Sequence, residues 1–132
     1  MMRALSCAAA LVLAAASAQA EEALATLELN TVEQRDQTCR ITFTARAPQT
    51  IDKLVTETVL FDTNGTVSLF TLFDFGELPE QKFRVRQFDL PGTECASVGR
   101  ILFNGVDTCA GAACEGAPLS VGSRLESVEV LG

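Results

Sequence analysis

The sequence predicts an all-β protein: a single antiparallel sandwich of two sheets and about seven short strands. Three observations predict it. Apolar and polar residues alternate with a period of two in several segments, the pattern of strands buried on one face. Gly, Pro and Asn-Gly signals separate these segments at near-regular intervals, and no amphipathic run of helical period interrupts them. Four of the five cysteines follow an export leader, a setting in which cysteines form disulfides.

Residues 1–20 are expected to be a cleavable secretory signal outside the fold. Arg3 gives a positive start, Leu5 to Ala16 is almost wholly apolar, and Ala18-Gln19-Ala20 has the small-x-small pattern of a signal-peptidase site. That apolar run is well short of the roughly 20 residues a spanning helix needs. Cys7 precedes the apolar region and Arg3 stands alone, so neither lipidation nor a twin-arginine route is read here. Cleavage after Ala20 leaves residues 21–132 as one domain, periplasmic or secreted, with no membrane span in the mature chain.

The strands follow in order. Ala25, Leu27 and Leu29 alternate with Thr26, Glu28 and Asn30. Cys39 to Arg46 is the clearest case, with apolar residues at every odd position and polar ones at every even position. Residues 53–62 form a third strand, with Leu54, Val55, Val59, Leu60 and Phe61 on both faces, as in a central strand. Asn64-Gly65 accepts positive φ and closes a tight hairpin onto Val67 to Phe75. A loop is expected over residues 76–81. Lys82 to Leu90 changes phase, since Phe83 and Val85 are odd while Phe88 and Leu90 are even. A bulge near Arg86-Gln87 reconciles them. Val98 to Phe103 is a sixth strand, ended by Asn104-Gly105. A small-residue loop from Cys109 to Pro118 leads to a last strand from about Arg124 to Leu131. The expected core is Leu27, Leu29, Ile41, Phe43, Leu60, Phe73, Val85, Phe88, Ile101 and Phe103.

Without the leader the chain keeps nine basic residues against seventeen acidic ones, a formal charge of −8 over 112 residues, and no His, Met, Trp or Tyr. Nucleic acid and anionic membrane surfaces need clustered Lys and Arg, so neither is an expected partner. The four remaining cysteines allow three pairings. Cys39–Cys95 with Cys109–Cys114 is favoured, and crossed pairings stay open. The long loop closed by the first constrains the unfolded chain by about 4 kcal/mol, and the short loop closed by the second by about 2 kcal/mol.

Thr58-Val59-Leu60-Phe61-Asp62-Thr63-Asn64-Gly65, Leu78-Pro79 and Phe83-Arg84-Val85 resemble the FxLyD-type immunoglobulin-like domain of bacterial exported proteins. There a strand ending in Leu-aromatic-Asp precedes a hairpin, and a Pro turn leads to an aromatic-rich strand. Thr58 stands where that family prefers Phe. Cys39-Arg40, Leu60-Phe61-Asp62, the run from Arg84 to Gly92, and Gly99-Arg100-Ile101-Leu102 are similar to small alphaproteobacterial exported proteins of unassigned function. The resemblance implies an immunoglobulin-like sandwich in the periplasm or an equivalent compartment, and brings no active residue with it.

Candidate chemistry is sparse. Without His, a Ser/His/Asp triad, a Cys/His nucleophile and a His-ligated metal are excluded. A four-cysteine zinc site needs two close pairs, and Cys39 and Cys95 are isolated. Asp62, Asn64, Asp74 and Glu77 are oxygen donors, but the remaining positions of a calcium loop are missing and turn chemistry accounts for Asp62 and Asn64. Carboxylate pairs for glycoside hydrolysis lack Trp or Tyr platforms. No catalytic residue, cofactor or metal is therefore expected.

Two functional readings remain. The leading one is a non-catalytic exported binding or accessory module whose partner is another envelope protein, met at a sheet edge or through Arg84 and Arg86. These two arginines, with Arg100, are the one concentration of positive charge, and both are expected on one solvent face, where guanidinium pairs clamp anionic groups. The other reading is a thiol–disulfide protein using Cys109 and Cys114. Four intervening Ala and Gly residues and the adjacent Glu115 disfavour a thiolate there. A structural bridge has a reduction potential below about −300 mV and a catalytic one sits well above it.

Overall fold

In a computed structural model of the chain, residues 10–13 and 22–132 are described. Residues 10–13 are exposed and irregular, and the rest of the expected leader, with its Ala20 cleavage site, lies outside the described residues. Eight strands form two four-stranded sheets. The first sheet holds β1 (Thr26–Arg35), β2 (Thr38–Arg46), β5 (Arg84–Pro91) and β7 (Ser120–Ser123), in the order β5-β2-β1-β7. The second holds β3 (Ile51–Asp62), β4 (Val67–Leu78), β6 (Val98–Ala110) and β8 (Glu129–Leu131), in the order β4-β3-β6-β8. The fold class is all-β with two disulfides, as the alternation and the cysteines predict.

The two sheets face each other across a phenylalanine cluster. Odd residues of β2 point inward, so Cys39, Ile41, Phe43 and Ala45 are buried while Arg40, Thr44 and Arg46 are not. Phe43 meets Phe73 and Phe75 of β4, Phe88 of β5 and Phe103 of β6 edge-on, at centroid distances of 5.5–6.2 Å. Phe73 and Phe88 stack at 4.1 Å, closing the seam between edge strands β4 and β5. Edge-to-face rings add to area burial, so the cluster fixes how the sheets stack as well as driving collapse. Thr56 and Thr58 also point into this interior, where their hydroxyls satisfy each other at 3.0 Å.

The disulfides are Cys39–Cys95 and Cys109–Cys114. The first ties buried β2 to a single 3-10 turn, Cys95–Ser97, just before β6. Gln34 splints the same corner: its Oε1 accepts from the Cys95 amide at 2.8 Å, and its Nε2 donates to Asp36 O at 2.8 Å. The second disulfide closes the loop leaving β6.

Several details differ from the sequence expectation. β5 carries no bulge: its pairing with β2 is continuous from Thr38↔Pro91 to Ala45↔Arg84. Its even residues therefore face inward, and Val85, expected in the core, is 59% exposed with Phe83 at 68%. Asn64-Gly65 closes the β3–β4 hairpin, but only Gly65 has positive φ, and the turn is a three-residue loop braced by Asp62 Oδ1, which accepts from the amides of Asn64 and Thr66. β4 runs on through Gly76 to Leu78, and β6 runs through Asn104-Gly105 to Ala110. Irregular pairing with β3 absorbs both glycines. Finally, β7 and β8 pair parallel to β1 and β6, so the sandwich has eight strands and is not wholly antiparallel. After the loop beyond β6, the chain re-enters beside β1 and then crosses to the other sheet.

On the outer face of the first sheet, Arg40 and Asp89 form a cross-strand pair, with Nε–Oδ1 at 2.7 Å and Nη2–Oδ2 at 3.0 Å. The hydrogen bonds that Arg40 donates hold the Asp89 carboxyl below its ordinary range, and accepting them the carboxylate raises the Arg40 guanidinium. A depressed carboxylate contributes stability that is complete above its unfolded pKa and lost as pH falls through the folded one. Asp89→Asn is thus expected to lower the melting temperature slightly at neutral pH and to melt like the parent below the depressed pKa. Thermal melts across acid pH check this.

Candidate functional site

A strand in a two-layer sandwich buries one face, so its other face shows what the surface is built for. On the first sheet that face is polar except at its β5 edge, where Val85 and Phe83 are exposed. Glu28, Thr44 and Val85 form one cross-strand row, Thr42 and Gln87 a second, and Arg40 and Asp89 a third.

The second sheet is different. Phe70 of β4, Val59 of β3, Leu102 of β6 and Leu131 of β8 stand in register across all four strands. A parallel row runs Val67, Phe61, Arg100 and Glu129. Leu72 extends the apolar surface beside Glu57, whose Oε1 accepts from Asn104 Nδ2. Phe70 is 60% exposed and Leu72 53%, while Val59 is covered by its neighbours. Side chains of this kind are normal singly, but a contiguous apolar patch rimmed by polar groups marks an interaction surface.

Arg100 lies on this face. Its guanidinium sits 5.9 Å over the Phe61 ring, and its Nε donates to Glu129 Oε2 at 3.0 Å. Arg84 and Arg86 lie elsewhere, so the structure does not bring the three arginines together. Both belong to the inward-facing set of β5, not to the solvent face expected for them, because β5 keeps its phase. Arg86 reaches across the seam between the sheets: its Nε donates to Phe75 O at 2.6 Å and its Nη2 to Glu77 O at 2.9 Å. Arg84 donates to the neighbouring Phe83 carbonyl.

Arg86 is therefore a bolt between β5 and the edge of β4. Hydrogen bonds to charged donors are each worth about 1.5–3 kcal/mol. Arg86→Met, which keeps the stem and removes the donors, is expected to cost about 2–3 kcal/mol, less than two full bonds because the one to Glu77 is exposed to solvent, read by urea unfolding.

The other candidates are engaged locally. Asp62 braces its turn, and Asp74 accepts from the Gly76 amide at 2.8 Å, with Lys53 Nζ 3.9 Å away. Among the described residues no group of three or more Cys, Asp or Glu side chains is arranged to hold a metal ion, and no helix is long and apolar enough to cross a membrane. Cys109 and Cys114 are half-buried, and their loop lies against the start of β3: a Cβ at Gly111 would stand 3.3 Å from Asp52 N. A concavity of about 610 Å³ beside Gln34, Thr93 and Cys95 is open to solvent, with Asp36 and Glu94 its ionisable groups.

Phe70, Leu72, Leu102 and Leu131 were not singled out by sequence reasoning. Their signal was present in the two-faced apolarity of the third strand and the Phe- and Leu-rich strand after it. The chain matches no protein-family model, no curated protein and no solved structure.

Proposed function

We propose that the chain is a non-catalytic binding module of the cell envelope, periplasmic or secreted, that docks another envelope protein on the outer face of its second sheet. The observation that carries this reading is the apolar row Phe70, Val59, Leu102 and Leu131, continuous across all four strands of the second sheet, whereas the apolar residues on the first sheet's outer face, Val85 and Phe83, are confined to its β5 edge. Such asymmetry is costly in solubility unless a partner covers it. Arg100 supplies a directional polar contact within an apolar surround, a combination enriched at energetic centres of protein interfaces. In this reading Arg84 and Arg86 hold the seam and only Arg100 touches the partner.

Export is supported by the small-x-small site at Ala18–Ala20 and by the two disulfides, which fit an oxidising compartment. The immunoglobulin-like reading rests on the pairing of β2 with β1 and β5, and of β3 with β4 and β6, and the FxLyD-type one on the sequence resemblance alone.

The test places a photo-crosslinking residue at Phe70 or Leu102, on the apolar face, and at Gln87, on the polar one, in living cells. Higher-mass adducts with a second protein are expected from the first two positions and not from Gln87. Adducts from Gln87 alone, or none from Phe70 and Leu102, would discard the proposed face.

A further inference from the structure

We infer that Asn64, at the tip of the β3–β4 hairpin, is a spontaneous modification site, its carboxamide converted by water into a carboxylate, while the fold protects Asn104 in the same dipeptide. The chain has three asparagines, and two of them precede glycine, as Asn64-Gly65 and Asn104-Gly105. Asn-Gly is a reactive dipeptide because glycine has no Cβ to shield its amide nitrogen and leaves the backbone free to turn. The Gly65 nitrogen, giving its proton to solvent, attacks Asn64 Cγ. The new N–Cγ bond closes a succinimide, and the Cγ–Nδ2 bond breaks as ammonia leaves. Water then opens the ring. Opening at Cγ leaves aspartate, and opening at the main-chain carbonyl leaves isoaspartate, whose backbone runs through the side-chain methylene. One water is consumed and one ammonia released, with nothing oxidised or reduced.

Both asparagines are exposed, so access to water does not separate them. Freedom of the backbone and side chain does. Asn104 lies inside the thirteen-residue β6, where its neighbour Gly105 is paired with Glu57 of β3. Its Nδ2 also donates to Glu57 Oε1 at 2.6 Å. To react, that side chain must leave Glu57 and swing over the Gly105 nitrogen, opening the middle of a ladder. Asn64 and Gly65 lie beyond the last pair of the β3–β4 ladder, Phe61↔Val67. Among the described residues nothing is bonded to the Asn64 carboxamide, and the Gly65 amide donates to Asp62 O at 3.0 Å. A Cβ built on Gly65 would meet nothing within 4 Å, so the tip has room to rearrange. Exposed loop tips open at little cost, whereas a paired strand interior opens only with its neighbours. The product adds a negative charge beside Asp62, whose Oδ1 braces this turn. The reaction needs only the chain and water, so it stands apart from the docking reading.

The test incubates protein recovered from cells expressing the full chain in heavy-oxygen water at mildly alkaline pH, followed by peptide mass mapping over time. The Asn64 peptide should gain one heavy oxygen and contain isoaspartate. The Asn104 peptide should convert at least tenfold more slowly, since one hydrogen bond to a charged group carries that factor by itself. A parallel incubation in urea, with circular dichroism confirming that the chain is unfolded, removes the protection, and the two rates should then converge. Equal rates in the folded protein, or faster conversion at Asn104, would overturn the inference. So would an Asn64 that converts in urea and not in the folded chain, or a difference that persists unchanged after unfolding.

Discussion

Phe43→Ala is expected to destabilise the domain by about 3–5 kcal/mol. Phe43 has no exposed surface and touches aromatic rings from both sheets. Its removal leaves a cavity that neither sheet can fill alone, because Phe73 and Phe88 are already stacked on each other and the backbone around Phe43 is paired on both sides. Large-to-small changes cost most where collapse is blocked in this way. Against a typical stability of about 5–15 kcal/mol, the loss is enough to leave a sizeable unfolded fraction at physiological temperature. Urea unfolding should show a lower midpoint with an unchanged slope. Phe70→Ala, the same change on the exposed outer face, serves as the control and should cost less than a quarter as much.

Replacing both Cys39 and Cys95 by Ala is expected to cost about 4 kcal/mol. The bond closes a loop with a sequence separation of 56 and anchors a buried residue of β2 to the turn before β6. Without it the unfolded chain regains the freedom of that loop. At about 4 °C per kcal/mol for a domain of this size, the melting temperature should fall by roughly 15 °C. Replacing Cys109 and Cys114, whose separation is 5, should cost about half as much on the same entropy scale. Differential scanning calorimetry of the two double variants ranks them directly. The opposite ranking would mean that the loop beyond β6 organises the fold more than the inter-strand tie does.

Much of the fold was legible because backbone pairing and burial both speak in a period of two. β2 is the plainest case: Cys39, Ile41, Phe43 and Ala45 are apolar, odd and buried. The disulfides were legible because an expected export leader lets cysteine spacing be read as a framework. β5 misled for a physical reason. Phe83 and Val85 compete in phase with Phe88 and Leu90, and hydrophobicity favours burying all four. The structure instead exposes the first pair and turns Arg84 and Arg86 inward. An arginine on an inner face at a sheet edge can lay its stem over apolar surface and carry its head to backbone carbonyls, so it need not be a solvent residue. β7, Ser120–Ser123, has no alternation of size to betray it, and only its pairing with β1 defines it.

The candidate surface left a trace in the sequence but was not read from it. Apolar residues on both parities of the third strand marked it as a central strand, which it is, between β4 and β6. In a two-layer sandwich nothing covers the second face, so the same pattern means an outer apolar surface. Leu102 and Leu131 join it only because β6 and β8 carry Val59's row onward, and the parallel placement of β8 left no trace in the sequence.

Folding in an oxidising compartment underlies both the disulfide-pinned sandwich and the envelope partner proposed for it. Mass spectrometry of the protein isolated from envelope fractions, digested without reduction, tests this most directly. The expected result is a chain beginning at Glu21 whose only cystine-linked peptides join Cys39 to Cys95 and Cys109 to Cys114. A chain that keeps its first twenty residues, or that carries free thiols at those four positions, would contradict it.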